Sequence, residues 1–305
     1  MIPIIITQTL QNRLTYCRLC KACNLSKLFD TYDFSLKINR NKFSYEKCLS
    51  CESVQLKNVP GNLKKYYPEN YDPYNEKKDN IVNNKIFQSR LKILRKYKNI
   101  KNILEIGSGD GAFAIMAKKN GFDVSCVEIN DKFNKNLKKN NINIINKRIE
   151  DLNSNDFKSK FDCIVAFHLI EHVDINSFIE IITRLSKKKS IIFIITPNIE
   201  SLSFRIFKRF WFHIDAPRHI NLPSKKILNK LMNSAGFSKQ KEIRISYDNF
   251  MSNKYGWDVS GYYMYKYFNN KLYSRISKVA GIIMPFIELF INISAQISVI
   301  YQKKN

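Results

Sequence analysis

The sequence predicts an α/β chain: an open, mostly parallel sheet with helices packed on its faces, preceded by a small cysteine-rich segment. Three observations carry that expectation. The run Ile103-Leu104-Glu105-Ile106-Gly107-Ser108-Gly109-Asp110-Gly111 takes an apolar strand into a carboxylate and then into three glycines spaced two apart. From there to the end of the chain, short apolar runs alternate with segments of helical periodicity. Five of the seven cysteines fall before residue 52, most of them in Cys-x2-Cys spacing.

The elements follow in order. Residues 1–75 form a segment rich in cysteine and turn residues, ending in a strip from Tyr66 to Tyr74 that reads as a linker or docking strip. A helix near 82–97 puts Phe87, Leu91 and Leu94 on one face. The strand 103–106 enters the glycine turn. Ala112 to Asn120 reads as a helix, with Gly121 placed to end it in a left-handed cap. Val124 to Val127 is a second strand and ends on Glu128. Ile149 to Leu152 is expected to close a third strand. Phe161 to Phe167 and Ile191 to Thr196 read as further strands. Ser177 is a candidate N-cap for a helix whose stripe is Phe178, Ile181, Ile182 and Leu185. Ser224 caps another, with Ile227, Leu228, Leu231 and Met232 inward and Gly236 as its stop. Residues 245–292 form an aromatic-rich insertion where a lid would sit, with an apolar helix near 279–291, before a last strand at 297–301.

Strand, glycine turn, helix, strand and terminal acid make a nucleotide-type cofactor site. The glycines let the backbone approach a ligand and the acid takes ribose hydroxyls. The same letters fit the dinucleotide fingerprint as Gly107-x-Gly109-x-x-Ala112 with Glu128 about twenty residues on. Glu105 separates the two readings. A carboxylate two residues before the first glycine repels a pyrophosphate, and Asp110 adds to that repulsion. S-adenosylmethionine (SAM) carries an ammonium and a sulfonium and no phosphate, so acids at the mouth of the turn suit it.

These residues resemble motif I of the class I SAM-dependent methyltransferases. Phe161 to Phe167 followed by His168-Leu169-Ile170-Glu171-His172 is similar to the fourth strand of that class and its Glu-His pair, and Ile191 to Asn198 to the fifth strand. Trp211, then Asp215-Ala216-Pro217-Arg218-His219, then Ala235-Gly236-Phe237 are similar to the branch that includes sugar C-methyltransferases. The match spans about residues 85–303. One departure is Ser186-Lys187-Lys188-Lys189-Ser190, where many members have a Pro-Gly-Gly turn. The resemblance implies a Rossmann-like sheet whose last strand is antiparallel, with a methyltransferase domain over 76–305. It implies a cofactor pocket of Glu105, Gly107, Ser108, Gly109, Asp110, Gly111, Glu128, Phe167 and His168, with Glu150 or Asp151 near adenine.

The cysteines fit a structural zinc ribbon. Cys17-x2-Cys20-x2-Cys23 and Cys48-x2-Cys51 offer two knuckles for a tetrahedral ion. Five cysteines compete for four places. Cys20, Cys23, Cys48 and Cys51 are the expected ligands, because Asn24 follows Cys23 where such knuckles favour a left-handed residue. Cys17 with Cys20 is the alternative first knuckle. Four thiolates leave no open position for chemistry, so the metal would be structural.

Methyl transfer from a sulfonium is an in-line displacement that mainly demands alignment. A hydroxyl or carbon-acid acceptor also needs a base. His172 is the leading candidate and His219 the second. Glu171 and Asp215 are placed to orient a histidine, and Arg218 either pairs with Asp215 or binds an anionic substrate group. Trp211 is expected to pack.

The chain has 305 residues, 44% of them hydrophobic, and a formal charge of +25. That charge suits nucleic acid or an anionic membrane. The lysines are spread along the chain without a stripe of interleaved aromatics, so compositional bias is the favoured reading and a small molecule the favoured acceptor, a sugar nucleotide or lipid-linked precursor. An RNA methyltransferase and a non-catalytic SAM-binding scaffold are the rivals. No secretory signal opens the chain, and reduced cysteines suit a cytoplasmic setting. The stretch from Val279 to Ile300 contains Pro285, Glu288, Asn292 and Gln296, so it is not a span. Peripheral contact of 279–291 with a membrane is the remaining option there.

Overall fold

The computed structural model describes residues 16–68 and 80–305. The opening residues and most of the strip from Tyr66 to Tyr74 lie outside them.

The N-terminal segment forms β1 (Leu25–Thr31), β2 (Phe43–Cys48) and β3 (Val54–Leu56). The helix α1 (Asn80–Leu94) leads into β4 (Asn102–Ile106), α2 (Ala112–Lys119), β5 (Asp123–Val127), α3 (Asn134–Lys139) and β6 (Asn143–Ile145). Then come β7 (Phe161–Phe167), α4 (Ile175–Leu185), β8 (Ser186–Pro197), α5 (Leu202–Phe207), β9 (Asn221–Leu222), α6 (Lys225–Ser234) and β10 (Phe237–Glu242). A helical hairpin, α7 (Tyr247–Phe268) and α8 (Lys271–Phe290), precedes β11 (Gln296–Lys303).

Seven strands make the main sheet in the order β10-β11-β8-β7-β4-β5-β6. From β6 to β8 all neighbours are parallel, and β11 runs antiparallel between β8 and β10. Both faces are covered, which explains why the strands read as continuous apolar runs. Alternate residues serve opposite cores. On β8, Ile192 and Ile194 join the face of α4 and α6, while Ile191, Phe193 and Ile195 join the face of α1 and α2.

The strand order reverses at β4, whose neighbours are β5 and β7. The glycine turn leaves β4 there, at the topological switch point where ligands of open sheets bind.

Local chemistry explains most of the boundaries. Gly121 has φ +89 and ends α2, as expected. Ser224 caps α6 by accepting the Ile227 N–H at 3.2 Å. The cap of α4 is Asp174, not Ser177: its carboxylate accepts the Ser177 N–H at 2.8 Å, so the helix starts at Ile175 and Ser177 lies in its first turn. Ile149–Asp151 is a 3-10 turn and not the end of a strand; the third parallel strand is the shorter β6. Ser186 to Ser190 is the first part of β8, with Lys189 at φ +60 taking the bend.

The N-terminal segment does not stand apart. Its sheet has the order β1-β2-β3-β9, so a strand from beyond β8 completes it. Cys17, Leu19, Cys48 and Cys51 share one core with Ile227, Leu228 and Met232 of α6. Tyr45, Val54 and Leu56 share another with Trp211, Ile214 and Trp257.

Candidate functional site

The turn after β4 is built for backbone approach. Gly107 and Gly111 sit at φ +75 and +76, and a Cβ on either would lie 2.8 Å from Leu169 Cδ1 or 2.2 Å from Leu137 Cδ2. Only glycine fits both the torsion and the space. Glu128 closes the turn from β5. Its carboxylate accepts the Gly109 N–H at 2.8 Å and the Asn130 N–H at 2.9 Å. Burial raises the Glu128 carboxyl above the usual range, while these backbone N–H groups oppose the shift. Asp110 turns inward to accept the Ala112 N–H at 3.0 Å.

Glu105 lies on β4 beneath the turn, 4% exposed, and its Oε2 has no hydrogen-bond partner among the described residues. Burial holds its carboxyl well above the usual range; the charge of Arg90 pulls the other way, and Asp110 and Glu128 push further up. Arg90 itself forms a 2.7 Å pair with Asp248 and lies over the Phe167 ring at 4.4 Å. Phe167 is not part of the turn. It packs edge-on between Phe113 and Phe193 in the α1 and α2 core, because the two-residue period of β7 sends it inward. Glu150 and Asp151 are exposed on their 3-10 turn, Glu150 with Arg148 at 3.4 Å.

The chain has four histidines, and the fold gathers all of them at the carboxyl end of β7. His168 has φ +53 and donates its N–H to Ile195 O at 2.7 Å, which turns the chain back over the sheet edge. Its Nδ1 lies 3.3 Å from Glu171 Oε1. Glu171 is fully buried and accepts the Thr196 hydroxyl at 3.0 Å. Burial would raise its carboxyl, but the His168 contact outweighs that and brings it down to about 2. The His168 ring stacks on His213 at 5.9 Å, and the His172 ring meets His219 edge-on at 4.5 Å. Donor atoms of Glu171, His172 and His219 lie within 4.8 Å of one another.

His219 Nδ1 lies 2.7 Å from the His213 carbonyl, which can only accept, so Nδ1 carries a proton. His172 Nδ1 lies 3.1 Å from the Arg218 carbonyl and 3.0 Å from the Tyr67 hydroxyl; a proton on Nδ1 bonds the carbonyl and leaves Nε2 open, whereas a proton on Nε2 leaves Nδ1 to accept from Tyr67. Burial and the neighbouring His219 lower the His172 imidazole to about 4, so it is neutral at pH 7. Burial pushes the His213 imidazole well below its usual range, and its Nε2 sits 3.1 Å from the Ser252 hydroxyl of α7.

Sequence reasoning missed two members of this cluster. The Tyr67 hydroxyl is 3.0 Å from His172 Nδ1, and burial keeps its phenol protonated. Asp33, on the loop after β1, is fully buried and bound by Arg218 at 2.7 Å. Arg218 also grips Asp215 through two contacts, at 2.6 and 2.8 Å. The Asp215 carboxylate is therefore spent on Arg218 and does not orient a histidine; its carboxyl is held low by that guanidinium against the effect of burial. Trp211 packs, 1% exposed, with its N–H on the Ser203 hydroxyl. The only sequence signal for Asp33 or Tyr67 was membership of the cysteine-rich segment.

That segment holds the loop from below. Tyr45 of β2 points its hydroxyl at the His219 carbonyl, 2.7 Å away, and Ser224 donates to the Cys51 carbonyl at 2.6 Å. The cysteine cluster is Cys17, Cys20, Cys48 and Cys51, all four Sγ atoms within 4.8 Å. The expectation for Cys23 fails: it is exposed, and Cys17 takes its place. The left-handed residue that a knuckle needs follows Cys20, not Cys23. Lys21 has φ +62 and returns its N–H to the Cys17 carbonyl at 2.9 Å; Glu52, at φ +64, does the same for Cys48 at 2.8 Å. A zinc–sulfur bond of about 2.3 Å sets tetrahedral thiolates about 3.8 Å apart. Cys17 and Cys51 are 3.6 Å apart and Cys20 and Cys48 3.5 Å, so the donor set fits zinc.

A seven-stranded sheet with one antiparallel strand, a glycine turn at its switch point and an acid closing the turn define the class I SAM-dependent methyltransferase fold. Residues 74–242 match the model of a family described as a methyltransferase domain, and the chain belongs to that family. No curated protein matches it. Among solved structures it is similar to the 1,6-didemethyltoxoflavin-N1-methyltransferase of Burkholderia thailandensis, at 12% identity, 72% of this chain, 79% of that one and a TM-score of 0.46. It is also similar to the magnesium protoporphyrin IX methyltransferase of Synechocystis, at 14% identity, 59% of this chain, 85% of that one and a TM-score of 0.44.

Proposed function

We propose that the chain transfers a methyl group from SAM to a small molecule whose acceptor atom loses a proton, a hydroxyl or an acidic carbon. The carrying observation is the contact between the glycine turn and the histidine loop: Leu169, next to His168, fills the space a Cβ on Gly107 would need. In this reading the cofactor turn and the histidine loop, which touch there, form walls of one crevice.

In this reading Glu128 takes the ribose hydroxyls on the lone pairs that Gly109 and Asn130 leave free. Glu105, whose buried oxygen is unpartnered and whose carboxyl burial holds high, would ionise against a cationic ligand, and Asp110 adds its carboxylate at the turn. Gly107, Ser108, Gly109 and Gly111 give close backbone approach, His168 lines the same wall, and Glu150 or Asp151 serves the adenine edge. SAM would supply the methyl group. His172 accepts the acceptor's proton at Nε2, with Tyr67 and the Arg218 carbonyl holding its other nitrogen; His219 is the second candidate. Glu171 orients His168. Zinc would be held by Cys17, Cys20, Cys48 and Cys51 and would fix the loop that carries His213 and His219.

A small acceptor is favoured because His172 is the half-buried member of a cluster in which Glu171, His213 and His219 are buried, which leaves only a narrow approach to its ring. A sugar nucleotide or a lipid-linked precursor meets that demand by inserting a small reactive end. The test is incubation of the purified chain with labelled SAM and fractionated cell extract. Label in the small-metabolite or lipid fraction is expected. Label in RNA would overturn the acceptor class, and S-adenosylhomocysteine binding without any transfer would favour a scaffold.

A further inference from the structure

The hairpin of α7 and α8 is built inside out. Its inner seam is narrow and mixed: Ser277, Gly281, Pro285, Glu288 and Leu289 of α8 are buried. A Cβ on Gly261 would lie 1.7 Å from the Ser277 hydroxyl, and one on Gly281 2.3 Å from Asp258, so the two helices are in close contact. The outer face of α8 is apolar along its whole length. Leu272, Ile276, Val279, Ile283, Phe286 and Phe290 follow at intervals of four and three and are 56–88% exposed. An α-helix with 20 residues is about 30 Å long, so this face is far larger than the scattered apolar residues of an ordinary surface.

We propose that this face of α8 docks flat on an anionic membrane surface. Charge selects the occupant. From residue 259 to residue 291 the exposed charged side chains are Lys266, Lys271, Arg275 and Lys278, and the one acid, Glu288, is buried. A second copy of the chain would bring a formal +25 against another +25, whereas anionic headgroups attract it. Apolar bulk on one side and lysines beside it are what an interfacial helix uses. The aromatic tip agrees: Tyr262, Tyr267, Phe268 and Tyr273 are exposed around the hairpin turn, at the level where amphipathic rings meet headgroups. No helix among the described residues is long and apolar enough to cross a membrane, so α8 lies on the surface instead of spanning it. The inference rests on the hairpin alone and holds whether or not the chain transfers methyl groups.

Co-sedimentation of the full chain with vesicles tests it. The wild type should bind vesicles of phosphatidylcholine mixed with phosphatidylglycerol and bind pure phosphatidylcholine far less. Ile283→Glu with Phe286→Glu should reduce binding to the mixed vesicles by about tenfold or more. Arg275→Glu with Lys278→Glu should remove most of the preference for the anionic lipid. Thermal unfolding of each variant reports on folding. Phe290→Trp keeps the face apolar, and its emission should move to the blue when mixed vesicles are added. A wild type that stays in the supernatant, equal binding by the Ile283 and Phe286 double variant, or unmoved Phe290→Trp emission would overturn the proposal. So would a wild-type dimer in sedimentation velocity that the double variant dissolves, which would assign the face to a second copy.

Discussion

The two sides of the proposed site, the glycine turn and the histidine cluster, are assembled in opposite ways. The cofactor side draws mainly on one continuous stretch, β4 through Glu128, with His168 and the turn at 150–151 added to it, and two of its acids, Glu105 and Glu128, are held high by burial. The histidine side comes from five separated pieces: Asp33, Tyr67, the turn 168–172, the loop 211–219, and α7 through Ser252. Glu171 and Asp215 on that side are held low because each has a partner, His168 for Glu171 and Arg218 for Asp215. Acids that burial leaves high suit a ligand that brings its own positive charge. Acids already paired inside the protein serve to hold other side chains in place. The same residue type therefore does different work on the two walls.

The proposed transfer gives the largest expected effect. His172→Ala should lower turnover by about 10²–10⁴-fold and leave S-adenosylhomocysteine affinity nearly unchanged, since His172 belongs to one wall and the cofactor to the other. Calorimetry beside a steady-state assay checks both halves. If cofactor affinity collapses with turnover, the walls are one unit and the separation drawn here is wrong.

Next in size is the joint that holds the histidine wall together. Arg218 is fully buried between Asp33 and Asp215, one carboxylate from each side of the loop. Arg218→Ala leaves both acids buried without their cation and should destabilise the fold by about 3–5 kcal/mol, read as a lower midpoint in denaturant. A loss below about 1 kcal/mol would mean the pair is as weak as a surface ion pair.

The metal sharpens the contrast further. Purified protein should hold a single zinc per chain; Cys17→Ser should lose it and Cys23→Ser should keep it. Loss of zinc should also loosen the loop behind Tyr45 and Ser224, seen as lost protection from hydrogen exchange around His219 while the turn at Gly109 stays protected.

Legibility in the sequence follows the same division. The cofactor turn could be read because every part of it is local: spacing, glycine and the terminal acid suffice. The sheet could be read because two-sided burial writes itself as apolar runs. Asp33 and Tyr67 could not be read, since their partners Arg218 and His172 lie 185 and 105 positions away and no local pattern records the pairing. Phe167 was assigned to the pocket from the neighbouring motif, although the alternation along β7 already pointed it inward. Cys23 was chosen on the rule that a left-handed residue follows the knuckle. The rule held, but the backbone placed that residue at Lys21. Asp174 displaced Ser177 as the cap because capping depends on which residue leaves the helical torsions first.

On the cofactor wall, Glu128→Ala should weaken S-adenosylhomocysteine by about 1–3 kcal/mol through lost charge-assisted hydrogen bonds, measured by calorimetry. NADH binding more tightly than S-adenosylhomocysteine would reverse the reading of Glu105 and Asp110.

The smallest expected effect is a pH dependence that belongs to the histidine wall alone. His172 titrates near 4 in the fold and near 6.5 when unfolded, because burial and His219 disfavour its charge. Between those values the unfolded chain takes up a proton that the native chain does not. Stability must therefore fall as pH drops from about 6.5 to about 4, and His213 pushes in the same direction. Glu171 works in a lower window. Its carboxyl is held down at about 2, so the stability it contributes is present above its ordinary value of about 4.5 and lost only as pH falls further. The His172 part should amount to about 1–2 kcal/mol, less than the full shift implies, since part of its ring is open to solvent. Thermal midpoints of wild type and His172→Gln across pH 7 to 4 measure it: the variant's curve should be flatter in that window and parallel to the wild type below it. Equal slopes would mean that His172 takes up its proton at the same pH folded and unfolded, so that its burial does not hold the imidazole down.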